Sequence, residues 1–385
     1  MRATQAIIHL ENLTFNIHAV KKHIAGSGGG PPVPKICMPV KADAYGHGAV
    51  EIAKTALEAG CSHLAVATVD EGAQLRAAGI KAPILLFSEA TPEELETVAR
   101  LNLIPFVSDR EYAALYASYA EKAGKNEKHG VFLKVDSGMG RLGCAPEEAA
   151  PLAQFISGQK ALSLAGTATH CAVSDSRDAG NKAFTARQLA VFKGVIDEIK
   201  KCGVNPGIVS AANTGATVSY PQAHFDMVRP GILLYGYQDE EVEPPLAVKP
   251  VMELVTQVVH IKKIRKGGTV SYGRTWTAPE DTFIGVLPLG YADGLPRLLS
   301  GRDFYVVING RQYPLAGRIC MDQCMINLGA TPAVKRYDAV TVFGGEKPAF
   351  DAAAIAKRIG TISYEICCGV NKRVPRVYTA TPRLS

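Results

Sequence analysis

Met38-Pro39-Val40-Lys41-Ala42-Asp43-Ala44-Tyr45-Gly46-His47-Gly48 closes a short apolar run, Ile36 to Val40, and sets a lysine where that run meets a loop of small residues. A strand that ends in a lysine delivers an amine to the mouth of a fold. Such an amine condenses with carbonyl groups when it is neutral, and partial burial lowers its pKa toward that state. Taken alone, a lysine at a strand end is ordinarily a surface residue. The rest of the chain decides whether Lys41 is more than that.

Outward from Lys41 the chain alternates. Apolar runs that read as strands are Ile36–Val40, His63–Thr68, Ile84–Ser88, Ile104–Ser108, Val131–Val135, Ser163–Thr169, Ile208–Ala212 and Met227–Tyr235. Between them lie helical stretches rich in Ala, Glu, Leu and Lys: Ala49–Ala59, Asp70–Ala78, Pro92–Leu101, Asp109–Lys122, Pro146–Ile156, Asn181–Lys201 and a short one near Thr214–Tyr220. Strands separated by helices make parallel βα units, and this count closes a (β/α)8 TIM-like barrel. An open doubly wound sheet is the other arrangement the count permits. Upstream, Ala6–Leu10 reads as a strand, Asn12 as the cap of a helix over Phe15–His23, and Ser27–Pro34 as a loop. The glycines of that loop precede a strand, which makes a poor phosphate loop.

After Tyr237 the texture changes. An acidic, proline-bearing junction, Asp239 to Pro245, leads into β-rich runs with turn signals: Val255–Ile264, Thr282–Leu289, Tyr305–Ile308, Gln312–Ala316 and Val340–Phe343. Asn309-Gly310 is a hairpin turn signal, and one helix is expected at Asp351–Ile359. The expected division is a strand within residues 1–12 that joins the C-terminal domain, a barrel over 13–241 and a β-rich domain over 242–385.

The chain has 385 residues, 47% hydrophobic and 20% charged, which is globular. A net charge of +6 without a Lys/Arg run suits small anionic ligands better than nucleic acid. The nine cysteines match no paired metal spacing, so reduced thiols in the cytoplasm and no metal are expected. There is no signal-peptide core and no run long enough to span a bilayer.

In such a barrel, chemistry sits at the C-terminal ends of the strands. Lys41 ends the first strand, Lys134-Val-Asp-Ser-Gly-Met-Gly-Arg141 the fifth, His170 the sixth and Asn213-Thr214-Gly215 the seventh, while Arg229-Pro-Gly231 lies in the eighth. Singly, each has an ordinary structural explanation. Together they converge on one mouth. Backbone N–H groups near Thr214 and Gly231-Ile232, with the Thr214 hydroxyl, suit a phosphate. A phosphate beside a strand-end lysine suggests pyridoxal 5′-phosphate bound through its aldehyde to Lys41.

The block Val40 to Gly48 and the blocks Lys134 to Gly143, Ala212-Asn-Thr214, Met227-Val-Arg-Pro-Gly231, Val270-Ser-Tyr-Gly273, Gly290-Tyr-Ala-Asp-Gly294, Gly317-Arg-Ile-Cys-Met-Asp-Gln323 and Ser363-Tyr-Glu365 follow one another in order. In this order they closely resemble the alanine racemases, pyridoxal-phosphate enzymes with an N-terminal barrel and a C-terminal β domain. The resemblance runs nearly end to end. It implies interconversion of L- and D-alanine, supplying D-alanine for bacterial peptidoglycan. Lys41 would carry the cofactor and act as one base, and Tyr272, reaching in from the other subunit of a homodimer, as the opposite base. Tyr45, Thr214, Gly231, Ile232 and Tyr364 would hold the phosphate, with Asn213 beside them. Arg229 would face the pyridine nitrogen, with His170 next to it. Arg141 would bond the phenolic oxygen, held in place by a carbamylated Lys134. Met321 and Asp322 would bind the substrate carboxylate region from across the interface, and Asp175, Tyr291, Arg297, Arg318 and Ile362 would line the entry corridor.

Racemisation removes a proton from one face of Cα and returns it to the other, so two bases must flank that carbon. A tyrosine with an ordinary pKa of about 10 needs tuning for that task. The chain departs from the family pattern at Ser210, where histidine is common, at Thr214, where serine is common, and at Cys171-Ala-Val, where aromatic residues are common. Thr214 keeps the hydroxyl. The competing readings are a racemase of broader range acting on serine or basic amino acids, a barrel-only cofactor carrier and a barrel-type decarboxylase. The carrier would lack the second domain that bears Tyr272, and the motifs of the decarboxylase are absent in the expected form.

Overall fold

The computed structural model describes residues 2–26, 32–124, 128–345 and 348–379; the Ser27–Pro31 part of the expected loop lies outside them. After β1 (Gln5–His9) come β2 (Lys35–Pro39), β3 (His63–Val66), β4 (Ile84–Leu86), β5 (Ile104–Val107), β6 (His129–Lys134), β7 (Leu162–Ala168), β8 (Ile208–Ser210) and β9 (Met227–Val228). The last eight form one sheet in the order β8-β7-β6-β5-β4-β3-β2-β9, with parallel pairing throughout. At its two ends, the Asp226 N–H donates to the Val209 carbonyl at 3.0 Å and the Arg229 N–H to the Ala212 carbonyl at 2.8 Å. The Ser210 hydroxyl adds a bond to the Met227 carbonyl at 2.6 Å. This seam brings the sheet round into a nearly closed barrel and excludes the open sheet.

The period of two along each strand builds two cores. Cys37, Ala65, Leu85, Phe106, Phe132, Ala168 and Met227 pack on one another as a separate cluster that fills the bore. Their neighbours Ile36, Met38, Leu64, Val66, Ile84 and Leu86 join the larger core under the helices. Each fully buried side chain of this size stabilises by about 1.5–3 kcal/mol. The helices of the barrel cover that outer face: Ala49–Glu58, Val69–Ala77, Leu95–Arg100, Arg110–Lys122, Ala149–Gly158, Ala179–Lys201 and Thr214–Ser219.

Two readings of this half need correction. Asn12 does not cap its helix; it lies inside Leu10–Gly26, and its side chain donates to the Pro250 carbonyl at 2.8 Å. The eighth barrel strand stops at Val228 and does not continue to Tyr235. Pro230 has no N–H to give a ladder, and the Gly231 N–H goes to the Thr214 hydroxyl at 3.1 Å.

The second half holds β10 (Met252–Gln257), β11 (His260–Ile264), β12 (Thr269–Val270), β13 (Trp276–Thr277), β14 (Thr282–Leu287), β15 (Tyr305–Ile308), β16 (Arg311–Pro314), β17 (Cys324–Gly329), β18 (Ala339–Phe343) and β19 (Arg376–Thr379). They form a six-stranded sheet, β16-β15-β18-β10-β1-β19, a three-stranded sheet, β11-β14-β17, and the pair β12-β13. β1 lies antiparallel to β10 and parallel to β19. The run Val255–Ile264 is therefore two strands in two sheets, with alternating burial in β10 and little in β11. Two helices follow β18 where one is expected, Ala352–Ile359 and Ser363–Gly369. Gly360, at φ +77°, stops the first, and the second is too short to show a period. It carries Tyr364 to the barrel mouth.

Candidate active site

A cavity of about 900 Å³ opens at the barrel mouth, lined by Lys41, Tyr45, Lys134, Arg141, His170, Asp175, Asn213, Thr214, Arg229, Gly231, Ile232, Ile362 and Tyr364. Strand ends supply the barrel residues, and the Ser363–Gly369 helix supplies Tyr364. Lys41 starts the turn that follows β2. Burial, then the Arg141 charge, draws its amine below the ordinary lysine range.

The turn after Lys41 is left-handed. Ala42, Asp43, Ala44 and Tyr45 have φ of +51, +53, +55 and +50°. For residues with a Cβ this costs about 1–2 kcal/mol each, so about 4–8 kcal/mol over the turn. Local bonds offset part of it. Gly46 N–H donates to the Ala42 carbonyl at 2.9 Å, the Asp43 carboxylate accepts from Ala49 N–H at 2.8 Å, and buried His47 sets Nδ1 at 3.0 and 2.9 Å from the Ala44 and Tyr45 carbonyls. The turn fixes the offset between the Lys41 amine and the Tyr45 ring, which packs edge-on against Tyr364 with centroids 5.5 Å apart.

The Tyr45, Tyr364 and Thr214 hydroxyls meet near Gly231. The Tyr364 hydroxyl approaches Thr214 and the Ile232 backbone, and a Cβ on Gly231 would stand 2.8 Å from the Tyr45 oxygen. Glycine leaves that space open. Three hydroxyls and backbone N–H groups around a small gap suit a phosphate, so the residues fit a phosphorylated cofactor. Asn213 caps the next turn: its side-chain oxygen accepts from Ala216 N–H at 3.1 Å and from the Ser174 hydroxyl at 2.7 Å.

Arg229 is buried and bonds neutral oxygens. It donates to the Ser210 hydroxyl, to the Thr169 carbonyl at 2.6 Å and to the Ala211 carbonyl at 3.4 Å. Burial brings its pKa down to about 10. Burial also takes Lys134 down to about 7, with Arg229 adding to the effect. His170 is driven well below its ordinary value by burial and then by Arg229, Lys134, Arg141 and Lys41, so its ring is neutral.

Tyr272, Tyr291, Arg297, Arg318, Met321 and Asp322 are not among the lining of this cavity. They lie together on the C-terminal domain. Ser271 donates to the Arg318 carbonyl at 2.6 Å, Tyr291 and Ala292 N–H donate to the Cys320 and Met321 carbonyls, each at 3.0 Å, and Ser300 links the Ile319 N–H to the Arg297 carbonyl. Tyr272 is 69% exposed and Met321 53% exposed. Of the corridor set, only Asp175 and Ile362 line the cavity.

The sequence reading missed Phe87, Ser88 and Glu89, which line the cavity at the end of β4. The rule that found Lys41 also covers them, since they end a strand. Phe87 stacks on Phe106 with centroids 5.3 Å apart, and the Glu89 carboxylate accepts from the Ser108 N–H at 3.0 Å.

A (β/α)8 barrel with a depressed-pKa lysine at one strand end and an anion cradle at the last two defines a barrel-type pyridoxal-phosphate enzyme. Residues 8–239 match the model of the alanine racemase N-terminal domain and residues 251–378 that of the C-terminal domain. An alanine racemase of Treponema denticola is 51% identical over 383 residues, spanning 98% of both chains; one of Treponema pallidum is 44% identical over 98% of this chain and all of its own. Among solved structures, the Clostridium difficile alanine racemase superposes with a TM-score of 0.91 at 35% identity, covering 98% of this chain and 96% of that one. The Bacillus anthracis enzyme with bound L-Ala-P gives 0.89 at 33% identity, covering 99% and 96%. The chain belongs to the alanine racemase family, isomerases that interconvert the two enantiomers of alanine with pyridoxal 5′-phosphate.

Proposed function

We propose that the cavity is one half of a racemisation site that a second copy of the chain completes in a homodimer, with Lys41 and the partner subunit's Tyr272 as its two bases. The division of the residues carries this reading. Lys41 lines the cavity, whereas Tyr272 stands 69% exposed outside it. A base that is solvent-exposed in one chain can work on a desolvated substrate when another chain presents it. The bound cofactor makes the Cα–H of the amino acid acidic by drawing electrons from that carbon. Lys41 carries the cofactor and moves the proton at one face of Cα; Tyr272 of the partner subunit moves it at the other.

The remaining residues hold and orient. Tyr45, Thr214, Gly231, Ile232 and Tyr364 grip the phosphate, with Asn213 bracing Thr214. Arg229 would face the ring nitrogen, and as a donor-only guanidinium it would leave that nitrogen unprotonated. Neutral His170, near the Arg229 charge, would accept from the incoming tyrosine. Arg141 would bond the phenolic oxygen. Lys134, with a pKa near 7, has the neutral amine that carbamylation needs, and as a carbamate it would pair with Arg141. Met321 and Asp322 of the partner subunit bound the substrate carboxylate, and Asp175, Tyr291, Arg297, Arg318 and Ile362 line the approach. The unpaired thiols of all nine cysteines fit work in the reducing cytoplasm, where D-alanine is made for peptidoglycan.

Complementation tests the shared site. Lys41→Ala and Tyr272→Phe should each be inactive, and mixing them should restore about a quarter of the parent rate, since half the dimers are mixed and each holds one intact site. Mixed samples that stay dead after subunit exchange has been verified would show that both bases belong to one chain.

A further inference from the structure

The left-handed turn between Lys41 and Tyr45 is gripped from two sides by residues that do not line the cavity. On the barrel side, Glu71 divides its carboxylate. One oxygen accepts from Ala67 and Thr68 N–H at 2.8 and 3.2 Å, closing the capping box of the Val69–Ala77 helix. The other accepts from Ala42 N–H at 2.6 Å, at the first left-handed residue. On the other side, Arg376 of β19 donates from Nε to the Gly46 carbonyl at 2.9 Å, at the end of the turn. Its remaining nitrogens are fixed on the Asn371, Val374 and Val370 carbonyls at 2.7, 2.7 and 2.6 Å, so the Nε bond points from a rigid base. The C-terminal domain also presses directly on this segment: a Cβ on Gly46 would lie 2.3 Å from the Cys367 carbonyl oxygen, and one on Gly48 1.9 Å from the Tyr378 hydroxyl.

We propose that Glu71 and Arg376 are positioning residues, a two-point clamp that holds the left-handed turn wound and thereby sets Lys41 and Tyr45 at their working separation. Neither touches the reacting atoms. Each acts through a backbone group at one end of the turn: with the clamp gone, Ala42 to Tyr45 can relax toward the right-handed region, and the Tyr45 ring then leaves the Gly231 cradle. The bonds run from separate parts of the fold, the second barrel helix and the final strand of the other domain. The clamp therefore makes the cofactor grip depend on the docking of the two domains. This rests on the reading that Lys41 carries the cofactor.

Glu71→Gln separates the clamp from the cap. Glutamine serves a capping box as well as glutamate does, but its remaining polar atom is an N–H2 group facing the Ala42 N–H. The measurement is the rate at which bound-cofactor absorbance is lost after dilution of the holoenzyme, alongside Tm and the separate kcat and KM. Glu71→Gln should release cofactor about tenfold faster, the effect of one lost charge-assisted bond, with Tm nearly unchanged. Ala42→Gly should then restore retention in that background, because glycine takes positive φ without strain and Ala42 is exposed. Arg376→Lys, which keeps one donor for Gly46, should release cofactor more slowly than Arg376→Met. Parent-like release from Glu71→Gln, or a defect that Ala42→Gly does not mend, overturns the clamp. Borohydride reduction of the parent holoenzyme and peptide mapping tests the underlying assignment of Lys41 independently.

Discussion

Thr214→Val is close to isosteric and removes a single oxygen from the phosphate cradle. In the structure that oxygen accepts from Gly231 N–H at 3.1 Å and lies near the Tyr364 hydroxyl. The residue is nearly fully buried. A hydrogen bond to a charged group contributes about 1.5–3 kcal/mol, which weakens cofactor binding on the order of 10- to 100-fold at 1.36 kcal/mol per tenfold. The assay is the cofactor dissociation constant by absorbance titration, with Thr214→Ser as the control because it keeps the hydroxyl. The expected order is parent and Thr214→Ser together, then Thr214→Val well behind. If Thr214→Ser is as damaging as Thr214→Val, the methyl and not the hydroxyl matters, and the cradle is wrongly drawn.

Asp293 is fully buried and bonds Arg2 at 2.6 Å and Arg373 at 2.7 Å. Burial alone would raise its carboxyl, but Arg373, Gly290 N–H and Arg2 outweigh it and leave the pKa below the ordinary value; its stabilisation is thus present above the unfolded carboxylate range and lost as pH falls through the folded pKa. Asp293→Asn should lower Tm by several degrees at neutral pH, with the deficit shrinking in acid, and equal deficits at both would reject the linkage. His9 runs the other way. The Glu253 hydrogen bond raises its pKa, against desolvation and with Glu11 assisting, so its contribution is full below the unfolded value near 6.5 and fades as pH rises through the folded one; His9→Gln should therefore destabilise at pH 5 and much less at pH 9 in urea titrations. Arg141→Met removes one of the charges that lower the Lys41 amine, so the pH at which Lys41 captures added cofactor should move up, and a downward move would contradict the electrostatic account.

Much of the barrel was legible because its strands carry continuous apolar runs that end in polar residues. Ile36 to Val40 fills two cores at once, and the polar Lys41 and Asp43 mark where that run ends. The handedness of that loop was not legible. Ala42, Asp43 and Ala44 give no glycine to mark positive φ, and their strain is sustained by groups remote in sequence; Arg376 meets Gly46 across 330 positions. In the second domain, β17 and β19 went unread. Cys324–Gly329 is interrupted by Asn327, ends in a glycine and lies at the edge of the three-stranded sheet, and Arg376–Thr379 is a strand chiefly because β1 offers it a parallel edge. Met227–Tyr235 was overextended because apolarity alone does not report where a ladder loses its donors.

The lining of the cavity meets two chemical demands with one distribution of charge. A phosphate must be held, and a lysine next to it must be able to lose its proton. Arg141 and Arg229 crowd the floor with positive charge, with Lys134 among them as a buried amine whose pKa is about 7. The same crowding that draws an anion in makes protonated Lys41 unfavourable, and it does so through desolvation first and repulsion second. It also disposes of His170 as a cation, leaving a neutral ring beside a buried guanidinium. A neutral imidazole can accept from a tyrosine that enters from outside, and the guanidinium behind it favours the resulting phenolate. On the proposed two-chain reading this environment would serve two proton carriers: Lys41, which lines it, and Tyr272, 69% exposed outside it, which another chain would present.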